Sequence, residues 1–207
     1  MRTISFVIAL LLGWLAEFGG VVQAQESWTF PNFSATQVFS SHRAEMATKV
    51  YRSGSSVRVE RSRAISTLYV PASSKVYNLT AYPDNSHQCV AMTPEQAKML
   101  PSPLELILGR VVKRTSAGSE VVDGHSTKIE DVTVVEPDGK TVESRVWEAA
   151  DLKGIPVKIE SHLDGVTLRA TYRDIVIGAP DEMLFRVPDR CTPFEKMGQV
   201  AESRVLN

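Results

Sequence analysis

The chain has 207 residues, 43% of them hydrophobic and 23% charged, with a formal net charge of -1. That length suffices for one domain with a substantial core, and the balanced charge argues against a nucleic-acid partner, whose phosphates are normally met by a basic surface. His42, His87, His125 and His162 are scattered without the H-x-x-x-H or H-E-x-x-H spacing that would put two ligands on one helix face, so no metal site is expected.

Residues 1–24 read as a signal peptide. Arg2 supplies the positive start, Ile4 to Leu15 an apolar core, and Val22-Gln23-Ala24 the small-x-small exit that a signal peptidase cuts. Glu17 and Gly19-Gly20 interrupt the apolar run before the roughly 20 residues a spanning helix needs, so no permanent membrane anchor is expected. The leader carries one Arg and one Glu, and its removal near Gln25 leaves the charge balance unchanged.

Residues 25–40 form a lead-in with Trp28, Phe30, Phe33 and Phe39, becoming strand near Ser34–Ser40. Strand-length runs follow at Glu45–Arg52, Ser56–Arg61, Ile65–Val70, Lys75–Leu79 and Gln88–Met92, separated by Ser53-Gly54-Ser55, Pro71-Ala72-Ser73-Ser74 and Pro83-Asp84-Asn85. Val57 and Val59 alternate with Arg58 and Glu60, the period of two that marks a sheet with one dry and one wet face.

Thr93 to Gly109 is helical in pattern. Thr93-Pro94-Glu95-Gln96 and Ser102-Pro103-Leu104-Glu105 each place a hydroxyl cap, a proline at the first helical position and a Gln or Glu at the third, which predicts two short helices, the second ending at Gly109. Their apolar residues, Leu104 and Leu108 among them, suit an ordinary core. They also suit a cover over a concave sheet, where Met99 would repack easily against variable acyl chains.

A second meander occupies Glu120 to Pro188. Asp123-Gly124, Pro137-Asp138-Gly139-Lys140 and Asp164-Gly165 are hairpin signals, and the segments between them alternate: Val142/Val146 against Glu143/Arg145, Val157/Ile159 against Lys158/Glu160, and Val166-Leu168-Ala170-Tyr172 against Thr167-Arg169-Thr171-Arg173. Two one-sided meanders need a shared cover, which predicts a mainly β protein: one curved antiparallel sheet wrapped round the helices of Thr93–Gly109. The two cysteines, in an exported chain, predict a disulfide between Cys89 and Cys191; closing a loop of about 100 residues is worth roughly 4.7 kcal/mol. No G-x-S-x-G elbow, dinucleotide loop or phosphate loop is present, so neither enzyme nor cofactor is expected; the competing reading is a hydrolase built around His125 and Asp131.

The order and spacing of several segments resemble the bacterial periplasmic lipoprotein-carrier (Lol-type, LolA-like) proteins and their outer-membrane lipoprotein-sorting relatives. The segments are Val70-Pro71, Lys75-Val76-Tyr77, Asp123-Gly124-His125, Val146-Trp147, Asp151 to Lys158, Tyr172-Arg173-Asp174-Ile175, Pro180-Asp181 and Leu184 to Pro188. The resemblance implies an incomplete, strongly curved barrel over residues 41–190, covered on its concave face by short helices, with 191–207 as a tail. It also implies a periplasmic carrier of acyl chains toward the outer membrane (secreted, where no outer membrane exists), whose partners are lipid or lipoprotein and envelope lipoprotein-sorting proteins. The alternative is a structural or protein-interaction domain, an envelope sensor, with a filled core. Expected cavity residues are Val57, Val59, Leu68, Val146, Ile159 and Leu168 from the sheet, and Leu104 and Leu108 from the cover.

Overall fold

The computed structural model describes residues 30–40, 45–97, 110–135, 139–163 and 166–197. The leader over 1–24, the second predicted helix with Leu104 and Leu108, and the Asp164-Gly165 turn lie outside the described residues. The described chain forms one large, open, curved sheet of twelve strands whose first and last members do not meet, so the barrel is not closed.

The strands are β1 (Phe33–Ser40), β2 (Glu45–Ser53), β3 (Ser56–Glu60), β4 (Ile65–Val70), β5 (Lys75–Ala81), β6 (His87–Met92), β7 (Arg110–Val122), β8 (His125–Val135), β9 (Thr141–Ala149), β10 (Ile155–Leu163), β11 (Val166–Ile177) and β12 (Thr192–Pro193). In space they run β12-β6-β5-β4-β3-β2-β1-β11-β10-β9-β8-β7, antiparallel except for the two-residue pairing of β12 with β6. Both predicted meanders are therefore present, β2 to β6 and β7 to β11. What joins them in the sheet is β1, paired on one side with β2 and on the other with β11. The segment read as a lead-in is thus a central strand, and β12 extends the sheet beyond residue 190.

Local chemistry explains the turns. Asp123 and Gly124 have φ of 49° and 85°, positive at both central positions, as a tight hairpin matching the strand twist requires; Gly124 takes this without the Cβ penalty. Helix α1 (Pro94–Ala97) starts on the predicted reciprocal cap. The Thr93 amide donates to Gln96 Oε1 (2.9 Å) and the Gln96 amide to Thr93 Oγ1 (3.3 Å), satisfying two donors the helix itself leaves open.

The main core covers one face, hereafter the inner face, from β6 to β8: Phe33, Ala35, Val50, Val57, Val59, Tyr69, Val76, Val90, Met92, Val111, Val132, Val134, Val146, Ile159 and Ala170 belong to it, with Ala97 of α1 packed against them. Each fully buried Val or Ile contributes about 1.5–3 kcal/mol by leaving water. On the opposite, outer face of β4 to β6, Leu68, Tyr77 and Cys89 pack under Phe185, Val187 and Cys191. Here the C-terminal segment crosses the sheet as a strap, fixed by the Cys89–Cys191 disulfide over a sequence separation of 102 and by Arg58 donating to the Leu184 carbonyl (3.1 Å). The predicted disulfide is present.

Two readings of strand parity need correction. Val157 and Ile159 were expected on one face, yet Val157 packs with Trp147 and Ala149 while Ile159 joins the inner core. A β-bulge between Pro156 and Lys158 in the pairing with β9 inserts a residue and reverses the alternation. Leu68 was expected on the inner face with Val57 and Val59. Instead Tyr69, opposite Val57, points inward, and Leu68 lies beneath the strap.

Candidate ligand-binding face

Of the sheet residues expected to line a cavity, Val57, Val59, Val146 and Ile159 are brought together in the inner core. Leu168 stands two residues from Ala170 on the same side of β11, half-buried, and Leu68 is excluded by its parity. Register places them in rows. Val57 faces Tyr69 on β4, and Ile159 lies between Val146 on β9 and Ala170 on β11.

Polar side chains interrupt this apolar face at three places. Across β2, β1 and β11, Thr48, Gln37 and Tyr172 stand in one register row. Gln37 Nε2 donates to the Tyr172 hydroxyl (2.6 Å), and Thr48 Oγ1 makes a longer contact with Gln37 Oε1 (3.4 Å). All three are buried, and burial pushes the Tyr172 phenol well above its ordinary pKa, against the opposing effect of its bond from Gln37. Farther along, the Ser144 and Ser161 hydroxyls pair at 2.8 Å. Toward β7, Arg114 is held between Glu130 and Glu148 (2.9 Å to the latter), and Lys128 also reaches Glu130. Burial works against the Arg114 charge, but Glu148 and Glu130 outweigh it and leave the guanidinium above its usual value. Burial likewise raises Glu130, and Lys128 and Arg114 more than reverse that.

The fourth interruption is different in kind. Arg52, between Phe33 on β1 and Val57 on β3, is 8% exposed, and its Nε is buried without a hydrogen-bond partner. The Phe30 ring lies 5.4 Å from its guanidinium carbon. Burial draws its pKa below the ordinary arginine value. Sequence reasoning missed this residue because Lys49, Arg52 and Arg58 look like one wet face; the available signal was that Arg52 shares the parity of Thr48 and Val50.

The outer face of β7 to β11 carries a charge lattice. Arg145 forks onto Asp131 (2.7 and 3.1 Å), while Arg169 (2.8 Å) and Lys158 (3.3 Å) hold Glu160. Lys158 also sits 3.9 Å from the Trp147 ring centroid, whose indole donates to Glu120 (2.7 Å). A groove of about 320 Å³ on this side is lined by Lys113, Asp131, Glu143, Arg145, Glu160 and His162, whose opposite charges largely neutralise one another. His125 and Asp131, the rival hydrolase pair, are each engaged elsewhere: His125 Nδ1 lies 2.7 Å from Asp151, and Asp131 belongs to Arg145. Among the described residues no group of three or more His, Cys, Asp or Glu side chains could hold a metal, and no helix is long and apolar enough to cross a membrane.

No family model and no curated protein matches this chain. Solved structures do match it. One is MucB, with a TM-score of 0.47 and 14% identity over 78% of this chain and 59% of that chain. Others are LprF from Mycobacterium bovis (TM-score 0.38, 14% identity, 72% of this chain and 89% of that chain) and the lipoprotein LppX from Mycobacterium tuberculosis (0.39, 13%, 71% and 89%). The chain spans about three-fifths of the MucB chain it matches, and likenesses of this size transfer no function.

Proposed function

We propose that this is an exported envelope protein that holds the acyl chains of a lipid or lipoprotein against the inner face of its curved sheet and carries them toward the outer membrane. One observation carries the reading. The apolar surface on the inner face is continuous from β6 to β8, far larger than one helical turn such as α1 can cover. Concave apolar surfaces with a few fixed polar groups are the usual form of small-molecule sites. Val57, Val59, Val146, Ile159 and Leu168 are the sheet residues assigned to the chain, and Leu104 and Leu108 its cover. Export is supported by the leader pattern over 1–24 and by the disulfide, which persists in an oxidising compartment. The reading involves no catalysis and no cofactor.

Native mass spectrometry of protein purified from the envelope fraction should show co-purifying lipid, and a fluorescent fatty acid should bind saturably and be displaced by lipoprotein. Protein that carries no lipid and takes up no probe would instead be a structural or protein-interaction domain with a filled core.

A further inference from the structure

Two buried arginines interrupt the same face, and their surroundings differ. Arg114 has two carboxylates within reach. Arg52 has none: its Nε is buried without a partner, and its contact among the described residues is the Phe30 ring at 5.4 Å. Removing a cation from water costs several kcal/mol unless it is paired, and a ring face returns only about 0.5–2 kcal/mol of that. Such a group destabilises the empty protein. A planar guanidinium presents N–H donors in a fork that fits carboxylate or phosphate oxygens, so what Arg52 lacks is an oxyanion.

Its position says which kind. Arg52 is the penultimate residue of β2, beside the turn in which the Gly54 amide donates to Asn32 Oδ1 (2.8 Å), with the Asn32 carbonyl accepting from Gly178 (2.9 Å). It therefore stands at the rim of the sheet, while Val50, Val57 and Val59 lead away from it into the core. A charged group at the rim followed by apolar rows matches an amphiphile lying head outward.

We propose that Arg52 receives the anionic head, carboxylate or phosphate, of the acyl ligand, whose chain lies against Val50, Val57 and Val59. This rests on the acyl-binding reading and adds a selectivity to it: anionic amphiphiles over neutral ones of equal chain length.

The test uses the full mature protein, stripped of lipid, with competitors displacing a fluorescent acyl probe. Palmitic acid is compared with hexadecanol, lysophosphatidic acid with monopalmitoylglycerol, and inorganic phosphate and acetate serve as heads without chains. Wild type should hold each anionic amphiphile roughly ten- to a hundredfold more tightly than its neutral counterpart, the worth of a charge-assisted hydrogen bond. Arg52→Met should bring both pairs to parity by weakening only the anionic members, and Arg52→Lys should restore part of the preference. Arg52→Met should also melt at or above the wild-type temperature, since it removes an unpaired buried charge; a lower melting temperature would mean that the protein itself satisfies Arg52, and would overturn the proposal. Equal binding of acid and alcohol by wild type would overturn it while leaving acyl binding intact. Displacement by phosphate or acetate alone as effective as by palmitate would make Arg52 a free-anion site and overturn it too. If no amphiphile binds wild type, both readings fall together.

Discussion

The Thr48–Gln37–Tyr172 row gives a quantitative test of how dry the inner face is. Gln37 is 1% exposed and Tyr172 2%, and they meet in register at 2.6 Å. Tyr172→Phe strands the Gln37 amide donor, and Gln37→Leu strands the phenol. In a site without water each single change should cost about 1–3 kcal/mol, the desolvation penalty of an unsatisfied buried group. The double variant removes donor and acceptor together and replaces them with apolar groups of similar size. It should lie near wild type, giving a favourable coupling energy of about 1–3 kcal/mol between the two positions. Urea unfolding of all four proteins at pH 7 measures this, with unchanged m-values confirming a common unfolded state. Additive costs, with the double variant losing the sum of the two singles, would refute the reasoning, because water would then be satisfying each orphan. The same tyrosine predicts a pH dependence. Folded Tyr172 keeps its proton above the ordinary tyrosine value of about 10, where the unfolded chain releases it. Its stabilising share is complete below that pH and is lost as pH rises toward the folded value, by up to about 1.4 kcal/mol per pH unit. Tyr172→Phe should remove that part of the alkaline slope.

Replacing Cys89 and Cys191 together by serine should lower stability by up to about 4.7 kcal/mol and free the strap that bears Phe185 and Val187, as denaturant unfolding and proteolysis would show. Alkylation of both cysteines in native, unreduced protein would contradict the bond. Leu68→Ala should cost about 2–5 kcal/mol yet leave acyl-probe affinity unchanged, whereas Val146→Phe should weaken the probe, because the two residues lie on opposite faces. Glu130→Gln should cost about 1–3 kcal/mol by removing a carboxylate from Arg114 and Lys128. Because the folded Glu130 carboxyl lies below its ordinary value, its contribution is present above about pH 4.3 and fades as pH falls through the folded value, and the variant should show a shallower acid limb.

Much of the fold was legible because its signals are local. Asp123-Gly124 forces a two-residue hairpin, and Thr93-Pro94-Glu95-Gln96 closes its own capping bonds, whatever the rest of the chain does. What failed depended on distant partners. The alternation that locates a face presumes one wet side, but in Ile65–Val70 the four residues Ser66 to Tyr69 are all buried, because the strap covers the outer face. No period of two survives there to orient Leu68. Bulges fail for a related reason: the extra residue at Val157 is defined by its pairing with β9, and its own segment does not mark it. The central place of β1 was hidden because a strand bonded on both sides to segments far away in sequence carries no turn signal linking it to its β11 neighbour. Arg52 was missed for the opposite reason, since a single arginine in a polar strand is ordinary until the register shows Phe33 and Val57 on either side.

The two faces of the β3 to β6 half are both apolar, and the chain secures them in unequal ways. The outer cover is covalent: the strap is held by Cys89–Cys191, and β12 adds backbone bonds along Val90 and Ala91. The inner cover that the described residues supply is α1, whose Ala97 enters the core and whose Gln96 donates to Glu195 on the strap (2.7 Å). An exposed polar contact of that kind is worth at most about 1 kcal/mol, and one buried alanine adds little more. Lifting α1 from the inner face therefore costs far less than lifting the strap from the outer one. A binding face needs that ordering, because the sheet must keep its curvature while its cover gives way. With the disulfide on the side away from the ligand, the sheet stays braced whatever occupies the inner face.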